Sequence, residues 1–158
     1  MESVVKQKFF LSSALAGIMY FIGWQGLLFI LLVVALVIDY LSGSLAARKH
    51  NEWNSRKATE GRVKKALVFV ALITAIILDT MIMILVKYSN AFNLSFDWPF
   101  AFTLVSTVWF ILGEAGSTLE NLAIYGLNIP RFLIKGIKVL KGKVENVGDH
   151  LIEEESEV

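Results

Sequence analysis

Residues 27–47, LLFILLVVALVIDYLSGSLAA, contain one charged side chain, the carboxylate of Asp39. About 20 apolar residues are enough to cross a bilayer as an α-helix. The end of this stretch also carries small residues at helical spacing around Asp39, and small residues allow helices to approach closely. The stretch therefore predicts a membrane-spanning helix that meets a neighbouring helix, and not lipid, on the face of its carboxylate.

The rest of the chain has the same character. It is 56% hydrophobic and 18% charged, whereas soluble domains are about 25% charged. Further spans are predicted at residues 9–24, 66–86 and 98–116, with a tight turn at 23–26. The predicted fold class is an all-α integral membrane protein with about four transmembrane helices in residues 1–116 and a C-terminal basic amphipathic helix.

The distribution of cations predicts the orientation. The polar loop at residues 48–65 carries seven Lys and Arg side chains, and the second polar loop, which follows the third span, carries only Lys87. With four spans, 14 of the 15 cations fall on one side of the membrane, which the positive-inside rule makes cytoplasmic. Both termini are therefore predicted to be cytoplasmic in a multi-pass protein.

The segment after Pro130 predicts a basic amphipathic helix. Its apolar residues recur at helical spacing and lysines surround them, which favours binding to anionic headgroups. Packing against a partner protomer is the alternative. We expect residues 117–147 to form a cytoplasmic juxtamembrane segment and 148–158 an acidic, disordered tail. The candidate membrane-surface residues are Arg131, Lys135, Lys138 and Lys141, and the apolar face is Leu133, Ile137, Leu140, Val144 and Val147.

Several polar and small residues lie inside the predicted spans and form candidate packing faces. An ionised Asp in mid-bilayer costs about 2.5–3.5 kcal/mol on insertion scales, so it must be protonated, paired, or turned toward protein or water. The carboxylates could hold helices together, could line a water-filled opening, or could do both at different times. Glu114, Glu120 and Asn121 lie near the end of the fourth span, where interfacial capping is the simpler interpretation. The candidate intramembrane or oligomerisation face is Asp39, Ser42, Gly43, Ala75, Asp79, Thr107 and Glu114.

Several classes of function receive no support from the sequence. The chain has no cysteine and two isolated histidines, so no metal-ligand spacing is present. Phosphate-binding glycine loops and hydrolase motifs are also absent from the sequence. We therefore predict no catalytic, cofactor-binding or metal-binding residues, no cofactor, no enzymatic activity and no nucleic-acid partner.

Two motifs resemble a known family. Asp39 and Tyr40, followed by Ser42-Gly43 and a basic loop, resemble the Asp-aromatic-x-Ser/Thr-Gly signature of the toxin-secretion/phage-lysis holins. A second block, which contains a Glu-Asn pair and then Gly-x-x-x-Pro, resembles that family's second motif. The resemblance covers roughly residues 27–140. The motif residues are Asp39, Tyr40, Gly43, Glu120, Asn121, Gly126 and Pro130.

The resemblance implies a protein that oligomerises in the bacterial cytoplasmic membrane and opens lesions for a cell-wall hydrolase or a large toxin. The expected partners are further copies of the chain, the lipid bilayer and that released protein. A small proton-coupled transporter or ion channel is the leading alternative, because four short spans with intramembrane carboxylates could exchange protons. A membrane scaffold that recruits a soluble protein through its basic loop and its C-terminal tail is a third class.

Overall fold

The computed structural model describes the backbone of residues 2–50, 54–89 and 101–156. Within these ranges, the side chains of residues 2–22, of 151–156 and of a few positions between them lie outside the described residues. The described backbone forms four α-helices, numbered here in chain order. They are α1 (Glu2–Lys49), α2 (Ser55–Ser89), α3 (Ala101–Tyr125) and α4 (Arg131–Ser156).

Three of these helices contain described segments that are long and apolar enough to cross a membrane. The segments are Gly26–Lys49, Thr59–Tyr88 and Ala101–Tyr125, and they overlap the second, third and fourth predicted spans. The all-α membrane fold is thereby confirmed. Residues 90–100, which include most of the second polar loop and the first residues of the fourth predicted span, lie outside the described residues.

The first predicted span stays a prediction. The backbone of residues 9–22 is helical, but the side chains of residues 9–22 and 24 lie outside the described residues. Helix α1 is broken at Gly23, where φ is 64° and ψ is −174°. This conformation is essentially confined to glycine. The break lies at the start of the turn that the sequence predicted.

Helices α1, α2 and α3 form a bundle around a small apolar core. The paired residues of α1 and α3 advance together along the chain, so these two helices run parallel, and α2 runs antiparallel to both. Leu32, Leu36 and Leu72 are buried at the centre. Most other large apolar side chains of the spans point outward, as a lipid environment requires. Examples that are more than half exposed are Val37, Leu41, Val70, Ile73 and Ile77.

A capped end of α3 fixes the start of the connection to α4. Gly126 has φ 107°, and its amide donates to the Ala123 carbonyl while the Leu127 amide donates to the Leu122 carbonyl. These two bonds form a Schellman motif, which satisfies carbonyls at a helix C-terminus. The end of α1 adds a further contact, because the Lys49 ammonium donates to the Tyr125 carbonyl.

Some predicted boundaries differ from the structure. Helix α2 begins at Ser55, inside the predicted polar loop, and α3 continues past residue 116 to Tyr125. Helix α4 continues to Ser156, where the sequence predicted a disordered tail. In each case charged and polar side chains border the apolar run, and several of them, such as Lys, Arg and Glu, are good helix formers. Polarity therefore limits the membrane-compatible part of a helix without ending the helix.

Helix α4 packs antiparallel along α3. A Cβ built on Gly116 would lie 3.5 Å from Ile137 Cγ2, and one built on Gly148 would lie 3.2 Å from Val105 Cγ1. Twelve residues of α4 therefore lie along twelve residues of α3, an overlap of about 16 Å.

Candidate functional site

The candidate site is a half-buried ionic group between the three helices of the bundle. Lys65 of α2 places its ammonium 2.7 Å from Asp39 Oδ2 of α1 and 2.5 Å from Glu114 Oε2 of α3. The side chains are only 19%, 13% and 17% exposed, respectively. Because each helix supplies one charged group, the cluster joins all three helices at one level of the bundle.

Asn121 extends this cluster along α3. Its side-chain amide donates to Asp39 Oδ1 at 2.9 Å and lies 3.2 Å from Ser42 Oγ. Ser42 in turn donates to the Asp39 carbonyl at 3.0 Å. We call the five residues Asp39, Ser42, Lys65, Glu114 and Asn121 the polar network.

Helical spacing explains why these residues meet. Ser42 and Gly43 lie three and four positions after Asp39, so all three share a face of α1. Glu114 and Asn121 are seven positions apart, which is close to two turns of α3. Gly43 leaves the room that Asn121 occupies, because a Cβ at Gly43 would lie 3.3 Å from Asn121 Nδ2.

The network lies inside the apolar run of α1 and at the start of the apolar run of α2. Asp39 is ten residues before Lys49, which is about 15 Å along a helix. Two carboxylates share one ammonium, so the ion group carries a formal charge of −1 when every member is ionised. Buried charges of this kind are tolerated when they are paired and hydrogen-bonded. The arrangement can therefore hold the helices together while it stores polar surface that water would solvate.

Asp79 belongs to a second, separate contact. Its side chain is fully buried and accepts hydrogen bonds from the Phe102 amide at 3.2 Å and the Thr103 amide at 2.7 Å. The first amides of a helix have no partner within it, and a carboxylate there is also favoured by the helix dipole. Asp79 of α2 is therefore an N-terminal cap that α3 receives from a neighbouring helix.

The other predicted face residues lie near Asp79 and outside the network. Ala75 is buried one turn before Asp79 on α2. Thr107 is also buried, and its hydroxyl donates to the Thr103 carbonyl within α3 at 2.6 Å. The structure thus divides the predicted face into two groups, one with Asp39, Ser42, Gly43 and Glu114, and one with Ala75, Asp79 and Thr107.

Lys65 is the network residue that sequence reasoning missed. It was assigned to the polar loop because Lys64 and Lys65 end a basic segment, whereas it lies inside α2. The interpretation of Glu114 and Asn121 as interfacial caps also differs from the structure, because both side chains contact members of the network. One feature of the sequence points to a missing partner: the predicted spans contain carboxylates but no lysine or arginine that could pair with them.

The remaining motif residues have different positions. Tyr40 and Glu120 are exposed, Gly126 caps α3, and Pro130 directly precedes α4. Of the four candidate membrane-surface residues, Arg131, Lys135 and Lys138 are exposed. Lys141 instead places its ammonium 3.6 Å from the centre of the Trp109 ring. Membrane-surface binding by these residues stays a prediction.

Comparison with known proteins identifies one family. The model of the bacteriophage holin family matches residues 16–142, which is more than half of the chain and contains the whole polar network. No solved structure matches the chain significantly.

Curated relatives agree with this match. An uncharacterized protein of Clostridium perfringens is 34% identical over 71% of this chain and 73% of its own length. A protein named probable holin, from Bacillus phage phi105, is 30% identical over 70% of this chain and 72% of its own. The holin-like protein TcdE of Clostridioides difficile is 31% identical, with 70% of this chain and 68% of that protein covered.

Proposed function

This chain belongs to the bacteriophage holin family, and we propose that it forms lesions in the bacterial cytoplasmic membrane. Copies accumulate with both termini on the cytoplasmic side, associate laterally and then open a passage. The passage releases a cell-wall hydrolase or a large toxin, which is the functional partner. Anionic headgroups bind the basic half of α4. We propose no enzymatic role.

The observation that carries this proposal is the closed polar network. Within one copy, Asp39, Lys65 and Glu114 satisfy one another, and most of the described outer surface of α1 and α2 is apolar. Such a copy is compatible with lipid, which explains how it accumulates without harm. If the three helices separate, the same side chains become a hydrophilic face that water can line.

The energies make such a rearrangement reasonable. Interhelical polar contacts in membranes average only about 0.6 kcal/mol, and separated charges regain hydration when a water-filled opening forms. Packing of one copy can therefore be exchanged for packing among copies with a small free-energy difference per protomer. Weakening the network should favour the open arrangement.

The first test asks what leaves the cell. The protein is induced alone in a bacterium that contains cytoplasmic reporter proteins of increasing size. Escape of folded reporters supports a lesion. Release confined to protons or small ions contradicts it, and proton-coupled uptake by vesicles that retain large solutes would favour the transporter or channel alternative.

The second test addresses the network. Asp39→Asn keeps a side chain that can contact Asn121 but removes the charge paired with Lys65, so leakage should begin earlier at matched membrane abundance. Glu120→Gln is the control, because it removes an exposed carboxylate of α3 that lies outside the polar network. Unchanged onset for both Asp39→Asn and Asp39→Leu would remove this carboxylate from the mechanism, and a later onset would contradict the role of the network in keeping the bundle closed.

A further inference from the structure

The contact between α3 and α4 has the spacing of a helical seam. The partly buried residues on α4 include Ile134, Ile137, Lys141, Val144 and Gly148, at alternating steps of three and four. This is the periodicity of a helix that packs lengthwise on another helix. Helix α4 is therefore docked along α3 by a continuous stripe.

The docked position conflicts with a bilayer around α3. Lys141 Nζ lies 3.6 Å from a Cβ placed on Gly113, and Gly113 is 12 residues before Tyr125, which is about 18 Å along α3. The hydrocarbon core is about 30 Å thick. Lys138 and Lys143 flank this position on α4 and are exposed, so lipid would surround them. Charged side chains are strongly disfavoured at such depth.

A second position uses the same face of α4. The seam and the neighbouring exposed residues Leu133, Leu140 and Val147 form one broad apolar surface. A basic amphipathic helix places such a surface into the headgroup boundary of an anionic bilayer. Because the seam residues belong to this surface, α4 cannot lie along α3 and on the bilayer surface together.

The connection between the helices permits the change. Gly126 has φ 107°, and residues 127–130 are not helical. This segment follows the Schellman cap, so α4 can reorient while the end of α3 stays intact.

We propose that α4 is a strap with two mutually exclusive positions, docked on the Trp109–Gly113–Gly116 face of α3 or bound to an anionic membrane surface. The docked strap covers α3 before it spans the bilayer, and insertion of α3 drives the strap to the surface. The proposal rests on the headgroup binding included in the proposed function, and it adds the docked position that competes with that binding.

The absence of cysteine from the chain makes the docked position directly testable. A Cβ placed on Gly148 would lie 3.2 Å from Val105 Cγ1, so Val105→Cys with Gly148→Cys brings two thiols together on facing sides of α3 and α4, and a disulfide needs Cβ atoms about 3.8 Å apart. In non-ionic detergent micelles, mild oxidation should cross-link most copies, and each single-cysteine variant is the control. Failure to cross-link above these controls would show that the docked position is not occupied and would overturn the proposal.

The surface position is tested by depth. An environment-sensitive dye on Leu140→Cys, in full-length protein inserted into vesicles of phosphatidylcholine and phosphatidylglycerol, is quenched by lipids labelled near the headgroup or near the chain end. The headgroup-level quencher should be several-fold more effective. Stronger quenching from the chain end means that α4 stays docked, and no quenching means that it lies in water; either result overturns the proposal.

A charge variant separates lipid binding from docking. Lys135 and Lys138 are exposed, so Lys135→Glu with Lys138→Glu should abolish quenching in the vesicles and leave the micelle cross-link unchanged. Persistent quenching, or loss of the cross-link, would contradict the two-position scheme. These readouts follow α4 whether or not copies open a lesion, so a failed reporter-escape test would reject the proposed function without rejecting the strap.

Discussion

Removing the ammonium of Lys65 should expose how much the polar network stabilises the bundle. Lys65→Met keeps a long apolar side chain in place of the lysine and leaves Asp39 and Glu114 without their shared cation. Removing one partner of a buried ion pair costs about 3–5 kcal/mol. The three side chains are half-buried, with 13–19% of each exposed, so partial screening by solvent places the expected cost near the lower end of this range. We expect the folding equilibrium constant to fall by a factor of at least ~100.

A compensated variant tests whether charge causes this loss. Lys65→Met combined with Asp39→Asn and Glu114→Gln removes the cation and both carboxylates while it preserves the side-chain sizes. The main cost of breaking a buried ion group is the charge left without a partner, and the triple variant leaves no such charge. The triple variant should therefore recover most of the free energy of unfolding that the single variant loses.

The assay is reversible unfolding in mixed micelles, with helix content measured against the mole fraction of denaturing detergent. Glu120→Gln is the control, because substitutions at exposed positions usually change stability by less than about 0.5 kcal/mol. If Lys65→Met unfolds like this control, or if the triple variant is no more stable than the single one, the network does not hold the helices as described.

Three further predictions use the same assay. Gly61→Ala should stabilise the protein by about 1 kcal/mol, as expected in a helix interior, because a Cβ there meets open space. Gly43→Ala should not give this gain, because its Cβ would lie 3.3 Å from the Asn121 side chain of α3. Equal effects of the two substitutions would contradict this prediction. Asp79→Leu should destabilise the protein by about 2–4 kcal/mol, because the Phe102 and Thr103 amides lose their acceptor. Asp79→Asn retains one acceptor oxygen and should lose less stability. Equal losses of stability would argue against the cap. Gly126→Ala should destabilise the protein by about 1 kcal/mol or more, because φ is 107° at this position and only glycine adopts such a φ without strain. Gly142→Ala should stabilise α4, because a Cβ there meets open space. If Gly126→Ala leaves the stability unchanged, the cap does not require glycine.

Hydropathy and residue spacing were sufficient to predict the three spans that the described residues contain and the helix contacts of Asp39 and Asp79. A long apolar run needs lipid or a core, and an intramembrane carboxylate needs a partner, so Asp39 and Asp79 were expected at helix contacts. Both lie at such contacts. The small residues beside Asp39 indicated close approach of a helix, and Gly43 indeed lies against Asn121.

The identity of each partner required the three-dimensional arrangement. Lys65 lies at the start of an apolar run, and sequence polarity assigned it to a loop, because nothing local shows that α2 begins ten residues earlier, at Ser55. Asp79 accepts from backbone amides, and every residue but proline carries one. Asp79 is a cap because α3 begins beside it in the bundle, and this position of the start of α3 along α2 is not visible in the sequence.

The two carboxylates should therefore have different roles in opening. Asp79 is satisfied by backbone amides at 3.2 and 2.7 Å, so separating it from α3 leaves helix-end amides unpaired as well as the carboxylate. Asp39 is satisfied chiefly by the side chains of Lys65 and Asn121, which can rotate toward water without disturbing any helix. The end of the bundle that holds Asp39 is thus the end that can become hydrated at lower free energy.

Asp39 variants should change the time at which leakage begins, whereas Asp79 variants should chiefly lower the amount of folded protein. Altered onset in Asp79→Asn at matched abundance, with normal onset in Asp39→Asn, would reverse this assignment.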